Sequence, residues 1–229
     1  MQRRPSTLSL SLCLSAAAVV ALAGCGAMRG GPSASPMSFF VTSTSPGKGA
    51  DLGGLAGADR FCQSLADGAG AGGRTWRAYL SNAALAGQPA VDARSRIGSG
   101  PWRNANGVVV ANSVADLHGP GNNINKQTAL TEKGSTISGR GDPVNMHDIL
   151  TGSRPDGTAV PVEPGKDTTC GNWTQSGAGS AIVGHHDRMG LTDDAVANSW
   201  NSSHGTRACG TDALKATGGA GLLYCFAAN

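Results

Sequence analysis

Charge and large aromatic side chains are scarce in this 229-residue chain. Charged residues make up 14% of it and Phe, Trp and Tyr together 4%, whereas glycine occurs 35 times. Such a composition predicts many turns and loops around a modest core, and exported domains of this kind commonly depend on disulfides. The formal net charge is +3 and no basic stripe is visible, which argues against a nucleic-acid partner.

Several catalytic and metal-binding motifs are also missing. The sequence contains no His-Glu-x-x-His, no Gly-x-Ser-x-Gly, no P-loop and no EF-hand loop. It has no Cys-x-x-Cys pair either, which argues against a zinc ribbon or a redox pair. We therefore expect a protein that is not an enzyme and that needs no cofactor, with a bound metal as an open alternative.

The amino terminus is typical of an exported lipoprotein. Two arginines precede an apolar, Ser-containing run over residues 8–22, which is too short for a comfortable membrane span. A basic start, an apolar run and small residues before a cut mark a secretory signal. The sequence Leu-Ala-Gly-Cys that follows resembles a bacterial lipobox ending at Cys25.

We expect from this pattern a signal peptide over residues 1–24 and a lipid on Cys25 that anchors the protein to a membrane. Residues 25–37 are rich in Gly, Ser and Pro and predict a flexible tether. The rival interpretation is an ordinary signal peptide that leaves Cys25 as a free thiol.

Residues 38–229 suit one globular α+β domain. Apolar residues recur at helical spacing from Ala58 to Ala69 and predict an amphipathic helix. The next stretch, Arg-Thr-Trp-Arg-Ala-Tyr-Leu-Ser, alternates like a half-buried strand that places Tyr79 on its outer face. Strands are expected at both ends of the domain, paired with each other, and residues 81–165 are expected to be mostly irregular between short strands.

Four cysteines fall in this domain, and an even number in an exported domain indicates two disulfides. They are Cys62, Cys170, Cys209 and Cys225. Four cysteines allow three pairings, and their spacing alone does not choose among them.

The order of several motifs resembles that of endostatin-like domains, which have the C-type-lectin-like fold. Near the start are Gly-Ala-Asp, a Cys-bearing helix and Arg-Ala-Tyr-Leu-Ser; later come His-Asp-Ile-Leu-Thr-Gly, Cys-Gly-Asn-Trp, Gly-His-His-Asp-Arg and Leu-Leu-Tyr-Cys-Phe-Ala. The likeness covers residues 39–80 and 147–229, and it extends to bacterial secreted proteins described as lectin-like. It implies two helices, a mixed antiparallel sheet, long loops and the nested disulfides Cys62–Cys225 and Cys170–Cys209.

Known ligand sites of these families do not carry over. Calcium-dependent lectins have Glu-Pro-Asn or Gln-Pro-Asp followed by Trp-Asn-Asp, whereas this chain has Glu-Pro-Gly and Ser-Trp-Asn-Ser. The arginine-rich heparin-binding face of endostatin is not matched either. The resemblance therefore implies neither calcium-dependent sugar binding nor heparin binding.

The segment between Cys170 and Cys209 is the richest in side chains suited to recognition. Sugar sites combine an aromatic face with groups that donate and accept hydrogen bonds. Trp173 is expected in the core, beside a disulfide. The expected ligand-binding residues are His185, His186, Asp187, Trp200, Asn201 and His204.

A metal site is the second interpretation of the same segment, because imidazole and carboxylate suit zinc or copper. Its candidates are His185, His186, Asp187 and His204. Adjacent histidines in an extended segment point to opposite faces, so one of the two would be badly placed. A third interpretation is that these residues only order a disulfide-pinned loop.

We expect a non-catalytic recognition module in the cell envelope, at the outer membrane or cell surface, with a glycan or an envelope protein as its partner. A structural envelope protein is one alternative, and a metal-dependent hydrolase is another. Hydrolysis would require an acid–base pair such as Asp148 beside His147, and adjacent residues rarely have the necessary geometry.

Overall fold

The computed structural model describes residues 1–2, 36–85 and 87–229. Contacts divide the chain into the units 1–33 and 34–229, and the second unit is an α+β domain. The expected signal peptide, the lipid on Cys25 and most of the tether lie outside the described residues. Among the residues described, none of the helices combines the length and apolar character required to span a membrane.

The described residues contain strands in two sheets and one long helix. The strands are β1 Phe39–Val41, β2 Trp76–Ala78, β3 Trp102–Arg103, β4 Val109–Ala111, β5 Asp148–Leu150, β6 Ile182–His185, β7 His204–Gly205 and β8 Gly219–Ala227. The helical segments are α1 Gly54–Gly68, α2 Val114–Leu117, α3 Cys170–Trp173 and α4 Thr211–Lys215, with a 3₁₀ turn at Ala93–Ser95. Only α1 is longer than about one turn, where the resemblance implied two helices.

The main sheet has the strand order β1-β8-β5-β6-β7, and β2 also pairs with β8. Strand β5 runs parallel to β8 and the other pairs are antiparallel, so the sheet is mixed, as expected. Phe39 lies opposite Phe226 in this sheet. The two ends of the domain are therefore paired strands, as the sequence predicts.

Strand β8 is buried on both faces and separates two cores. Leu223 and Cys225 point into the core that lies under α1. Tyr224 and Phe226 point into a second core on the opposite face. Tyr79 belongs to this second core and is fully buried, so the prediction that it faces outward was wrong. Residues from the 81–146 segment cover that face, and alternation in a short stretch cannot reveal such a cover.

Both disulfides have the nested pairing. Cys62 on the buried face of α1 is bonded to Cys225 in β8 and fixes the helix on the sheet. Cys170 is bonded to Cys209. Because α1 also contributes Ala58 and Ala66 to the core, the amphipathic pattern of this segment is confirmed.

Two boundaries differ from those expected. Met37, expected at the end of the tether, is 1% exposed and packs in the core beside α1. The helix begins at Gly54, four residues before the start of the apolar pattern at Ala58. Residues 81–146 are mostly irregular, but they hold the hairpin β3–β4, whose turn follows Asn104.

Candidate functional site

Strand pairing brings one carboxylate and three histidines to the same face of the sheet. Asp148 begins β5 and lies opposite His185 at the end of β6. His204 in β7 lies opposite Val183. Val183 and His185 are two residues apart in β6 and therefore share a face. His147, just before β5, completes the group, which we call the histidine cluster: His147, Asp148, His185 and His204.

The three imidazoles converge on one carboxylate oxygen. Oδ1 of Asp148 lies 3.3 Å from Nε2 of His147, 3.2 Å from Nε2 of His185 and 3.4 Å from Nε2 of His204. The rings of His147 and His185 are stacked, with centroids 4.0 Å apart. Three of these side chains are at most 4% exposed, whereas that of His204 is 37% exposed. Access to the cluster is therefore from the side of His204.

The other ring nitrogen of each histidine faces an acceptor. Nδ1 of His147 lies 3.2 Å from Oδ1 of Asp187. Nδ1 of His185 lies 2.7 Å from the carbonyl oxygen of Ala197, and Nδ1 of His204 lies 3.2 Å from its neighbour's carbonyl oxygen. Carbonyl and carboxylate oxygens only accept hydrogen bonds, so in each ring Nδ1 carries the proton and donates it.

A neutral imidazole with its proton on Nδ1 has a lone pair on Nε2. In that protonation state the Nε2 atoms and the Asp148 carboxylate are all acceptors, and no donor from the described part of the chain lies between them. Both carboxylate oxygens of Asp148 and Nε2 of His185 are buried and have no hydrogen-bond partner among the described residues. Buried polar atoms in native proteins are nearly always partnered, so this group lacks a positive charge or a donor.

The local field favours an ionised Asp148. Burial opposes the charged form, but when the rings are protonated, hydrogen bonds and positive charge from His185, His204 and His147 outweigh burial and lower the pKa of Asp148. Interaction with Asp148 in turn raises the pKa of His204. Burial also opposes the charge on Asp187, yet His147 and the backbone N–H of Arg140 lower its pKa to about 2. The site thus holds two carboxylates in their charged form.

A cleft of about 720 Å³ opens beside the cluster. We call it the histidine cleft. The rings of His147, His185 and His204 form one part of its lining. The rest of the lining includes Arg140, Leu191, Asp194, Val196 and Arg207.

The candidate residues from the sequence divide between the cluster and its surroundings. His185 and His204 lie in the cluster. His186 follows the end of β6 and points away from the cluster, with Nε2 3.4 Å from the carbonyl oxygen of Ser138, so only one of the two adjacent histidines belongs to the cluster. Asp187 does not face the cluster centre and instead holds His147.

Trp200 and Asn201 do not form the exposed platform that the sequence suggested. Trp200 is 3% exposed and its ring packs 4.9 Å from that of Tyr79. Asn201 is 1% exposed and donates to the hydroxyl of Tyr79 and to the carbonyl oxygens of Arg154 and Pro155. Both side chains are occupied inside the domain, which corrects the expectation that they lie on an exposed surface, and ligand contact by them stays a prediction. Trp173 is fully buried, as predicted.

Sequence reasoning missed the shared role of His147 and Asp148. It considered them only as an adjacent acid–base pair, whereas the strands place Asp148 at the centre of three imidazoles. The available signal was a carboxylate that opens the otherwise apolar strand Asp148–Leu150. Comparison with protein-family profiles and with curated proteins finds no match for this chain.

Proposed function

We propose that this protein is a non-catalytic recognition module of the bacterial cell envelope, and that the histidine cleft binds a carboxylate-bearing ligand. The ligand is an acidic glycan or an acidic segment of an envelope protein, which share the chemistry that the cleft can recognise. A cleft of about 720 Å³ is of the size that encloses a small ligand or a few sugar or peptide units.

Two arginines without ion-pair partners carry this proposal. Arg140 and Arg207 line the cleft, and their guanidinium groups make no salt bridge or hydrogen bond with any described residue. Arginine binds carboxylates through a planar fork of donors. The one carboxylate in the lining, Asp194, accepts hydrogen bonds from Thr192, Val196 and Ala197 within its own loop. A ligand carboxylate therefore suits the free cations.

Exposed apolar side chains stand beside these cations. Leu191 is 85% exposed and Val196 is 60% exposed, and both line the cleft. Large apolar side chains that remain in water next to a concave site favour a binding role. Apolar contact with charge pairing would select an amphipathic acidic ligand.

The fold assignment that accompanies this proposal is C-type-lectin-like, of the endostatin-like type. Its support is the α+β architecture, the mixed sheet and the two nested disulfides. We further propose that a lipid on Cys25 attaches the protein to the envelope. A Cys25→Ser variant should lose acylation and leave the membrane fraction, and a variant that stays acylated and membrane-bound would refute this anchor.

Binding is tested with the full chain, purified in detergent, on an array that carries both acidic glycans and acidic peptides, with neutral analogues of each. We expect the protein to bind either the acidic glycans or the acidic peptides, and the set that it binds identifies the ligand class. Arg140→Gln and Arg207→Gln should each weaken binding about ten-fold or more, since each removes a charge-assisted hydrogen bond. Arg60→Gln is the matched control, because Arg60 is exposed on α1 and does not line the cleft.

Two results would contradict the proposal. One is a folded chain that binds no acidic ligand on the array. The other is binding that Arg60→Gln weakens as much as the two cleft variants do, because a general charge effect would then explain it.

A further inference from the structure

We propose that Asp148, His147, His185 and His204 bind one divalent first-row transition-metal ion, with zinc as the ion to test. This inference goes beyond the proposed recognition function and does not depend on it. The residues lie on three neighbouring strands and the segment before β5, so the main sheet fixes their relative positions.

Electrostatic balance is the first argument. The hydrogen bonds at Nδ1 leave a lone pair on each Nε2, and these lone pairs face a buried carboxylate. Acceptor atoms that lie this close together repel one another unless a cation lies between them. The carboxylate of Asp148 and Nε2 of His185 are buried without a hydrogen-bond partner among the described residues. Atoms that bind a metal ion have this property, because the ion takes the place of a hydrogen-bond donor.

The distances are the second argument. Four ligands at about 2.0–2.1 Å from a tetrahedral zinc ion are about 3.3–3.4 Å from one another. The three distances from Oδ1 of Asp148 to the Nε2 atoms are 3.3, 3.2 and 3.4 Å. The three edges of the tetrahedron that meet at Oδ1 are therefore already in place. The mutually close set of ligand atoms contains His147, Asp148 and His185, and His204 must move closer to these histidines to complete the site.

One adjustment accompanies binding. The rings of His147 and His185 are nearly parallel, with an interplanar angle of 9°. Lone pairs of parallel rings do not meet at one point, so these rings must tilt toward each other. Their ligand atoms, with that of Asp148, already lie within 4.8 Å of one another, so a small rotation suffices.

Supporting hydrogen bonds are the third argument. Histidines that bind metals usually donate their second N–H to a carboxylate or a backbone carbonyl, which fixes the ring and increases its basicity. His147 has the carboxylate of Asp187, and His185 has the carbonyl oxygen of Ala197. A set of three nitrogens and one oxygen suits zinc, copper or nickel better than calcium or magnesium.

The entry path agrees with this assignment. The side chain of His204 is 37% exposed and borders the histidine cleft, whereas the other three ligands are buried. An ion would reach the three buried ligands from the cleft, and His204 would close the site behind it.

The test uses the full chain, stripped with EDTA and dialysed into metal-free buffer. Titration with zinc, followed by isothermal calorimetry and by metal analysis after gel filtration, should give one zinc per chain. Zinc should also raise the temperature of unfolding, because it binds the folded state. Loading with Co²⁺ should produce the intense visible absorption of a four-coordinate ion.

Variants assign the ligands. Asp148→Asn and His185→Gln should each weaken zinc binding by more than the roughly 100-fold loss that is typical of a supporting residue. His186→Gln is the matched control, because His186 is adjacent in sequence and points away from the cluster. Circular dichroism of each metal-free variant verifies its fold.

The proposal is overturned if the folded wild-type chain binds no zinc, in which case protons balance the carboxylate. It is equally overturned if His185→Gln retains wild-type affinity, or if His186→Gln loses as much affinity as His185→Gln does. The Arg140→Gln variant distinguishes this site from the recognition site. It should weaken binding of the acidic ligand and leave the stoichiometry of zinc binding unchanged.

Discussion

Oδ1 of Asp187 accepts a hydrogen bond from Nδ1 of His147, across 3.2 Å and forty positions of sequence. The other oxygen of the same carboxylate accepts from the backbone N–H of Arg140. One side chain thus orients a ring of the histidine cluster and fixes the loop that presents Arg140 to the cleft. This link makes Asp187 a positioning residue for the proposed metal site.

Asp187→Asn should weaken zinc binding about 10- to 100-fold, because the amide no longer supplies the charge that orients His147. Competition with a chromogenic chelator measures the affinity. Nitrogen NMR of the metal-free chain should show that His147 loses its preference for a proton on Nδ1. Asp193→Asn makes the same charge change at an exposed position of the same loop and should have no effect. Equal losses in both variants would contradict the positioning role.

Asp59 holds together the contact of α1 with β2. Its carboxylate accepts from Arg77, from Arg96 through two hydrogen bonds, and from the backbone N–H of Ala78. Asp59→Asn leaves the charge of Arg96, whose side chain is 11% exposed, without its partner. We expect a loss of about 3–5 kcal/mol in the free energy of unfolding, measured by urea denaturation.

Arg77→Gln is the control for that prediction, because the side chain of Arg77 is 44% exposed. An ion pair that exposed contributes only about 0–1 kcal/mol. If Asp59→Asn and Arg77→Gln lower the free energy of unfolding by similar small amounts, the buried ion pair of Asp59 with Arg96 does not stabilise the domain more than the exposed pair does.

Gly184 allows β6 to approach the segment that carries Trp200. A Cβ atom on Gly184 would clash with the carbonyl oxygen of Trp200 and with the backbone nitrogen of Asn201. Gly184→Ala must push these backbones apart and should cost about 1–3 kcal/mol or more in denaturant unfolding. It should also weaken zinc binding, since His185 is the next residue.

Gly73→Ala provides the comparison for this variant, because a Cβ there meets no atom within 4 Å. We expect its effect to stay within about 0.5 kcal/mol. If Gly184→Ala is equally neutral and binds zinc normally, the close approach of the two backbones is unimportant.

His118 should make the domain less stable in mild acid. Its Nδ1 donates to the carbonyl oxygen of Val114 across 2.7 Å, and its Nε2 lies 2.8 Å from the hydroxyl of Tyr79. Burial lowers the pKa of His118, and burial also raises the pKa of Tyr79, whose hydroxyl therefore remains the donor. The folded state thus favours a neutral imidazole.

The sign of the effect follows from the difference in proton binding. An unfolded chain protonates His118 near its ordinary pKa of about 6.5, whereas the folded chain protonates it only at lower pH. The contribution of His118 to the free energy of unfolding is therefore fully present above about pH 6.5 and is lost as the pH falls below that value. Urea unfolding between pH 7.5 and 5 should show a shallower pH dependence for His118→Gln than for wild type. Parallel curves would contradict this assignment.

The sequence alone determined the local elements with regular periodicity. The alternation of Leu222, Tyr224 and Phe226 with Leu223 and Cys225 specified a strand with two apolar faces. The spacing from Ala58 to Ala69 specified a helix that buries Cys62. It also determined that two disulfides form, whereas their pairing followed from a resemblance to endostatin-like domains and agrees with the structure.

Tertiary structure alone decided which polar side chains meet and which aromatic side chains are exposed. Asp148 and His204 are far apart in sequence, and only the order β5-β6-β7 brings them together. Trp200 and Tyr79 are buried because the distant 81–146 segment covers their face of the sheet. Periodicity reports the geometry of one strand, but burial and site formation depend on what packs against it, and that contact lies beyond the reach of a local pattern.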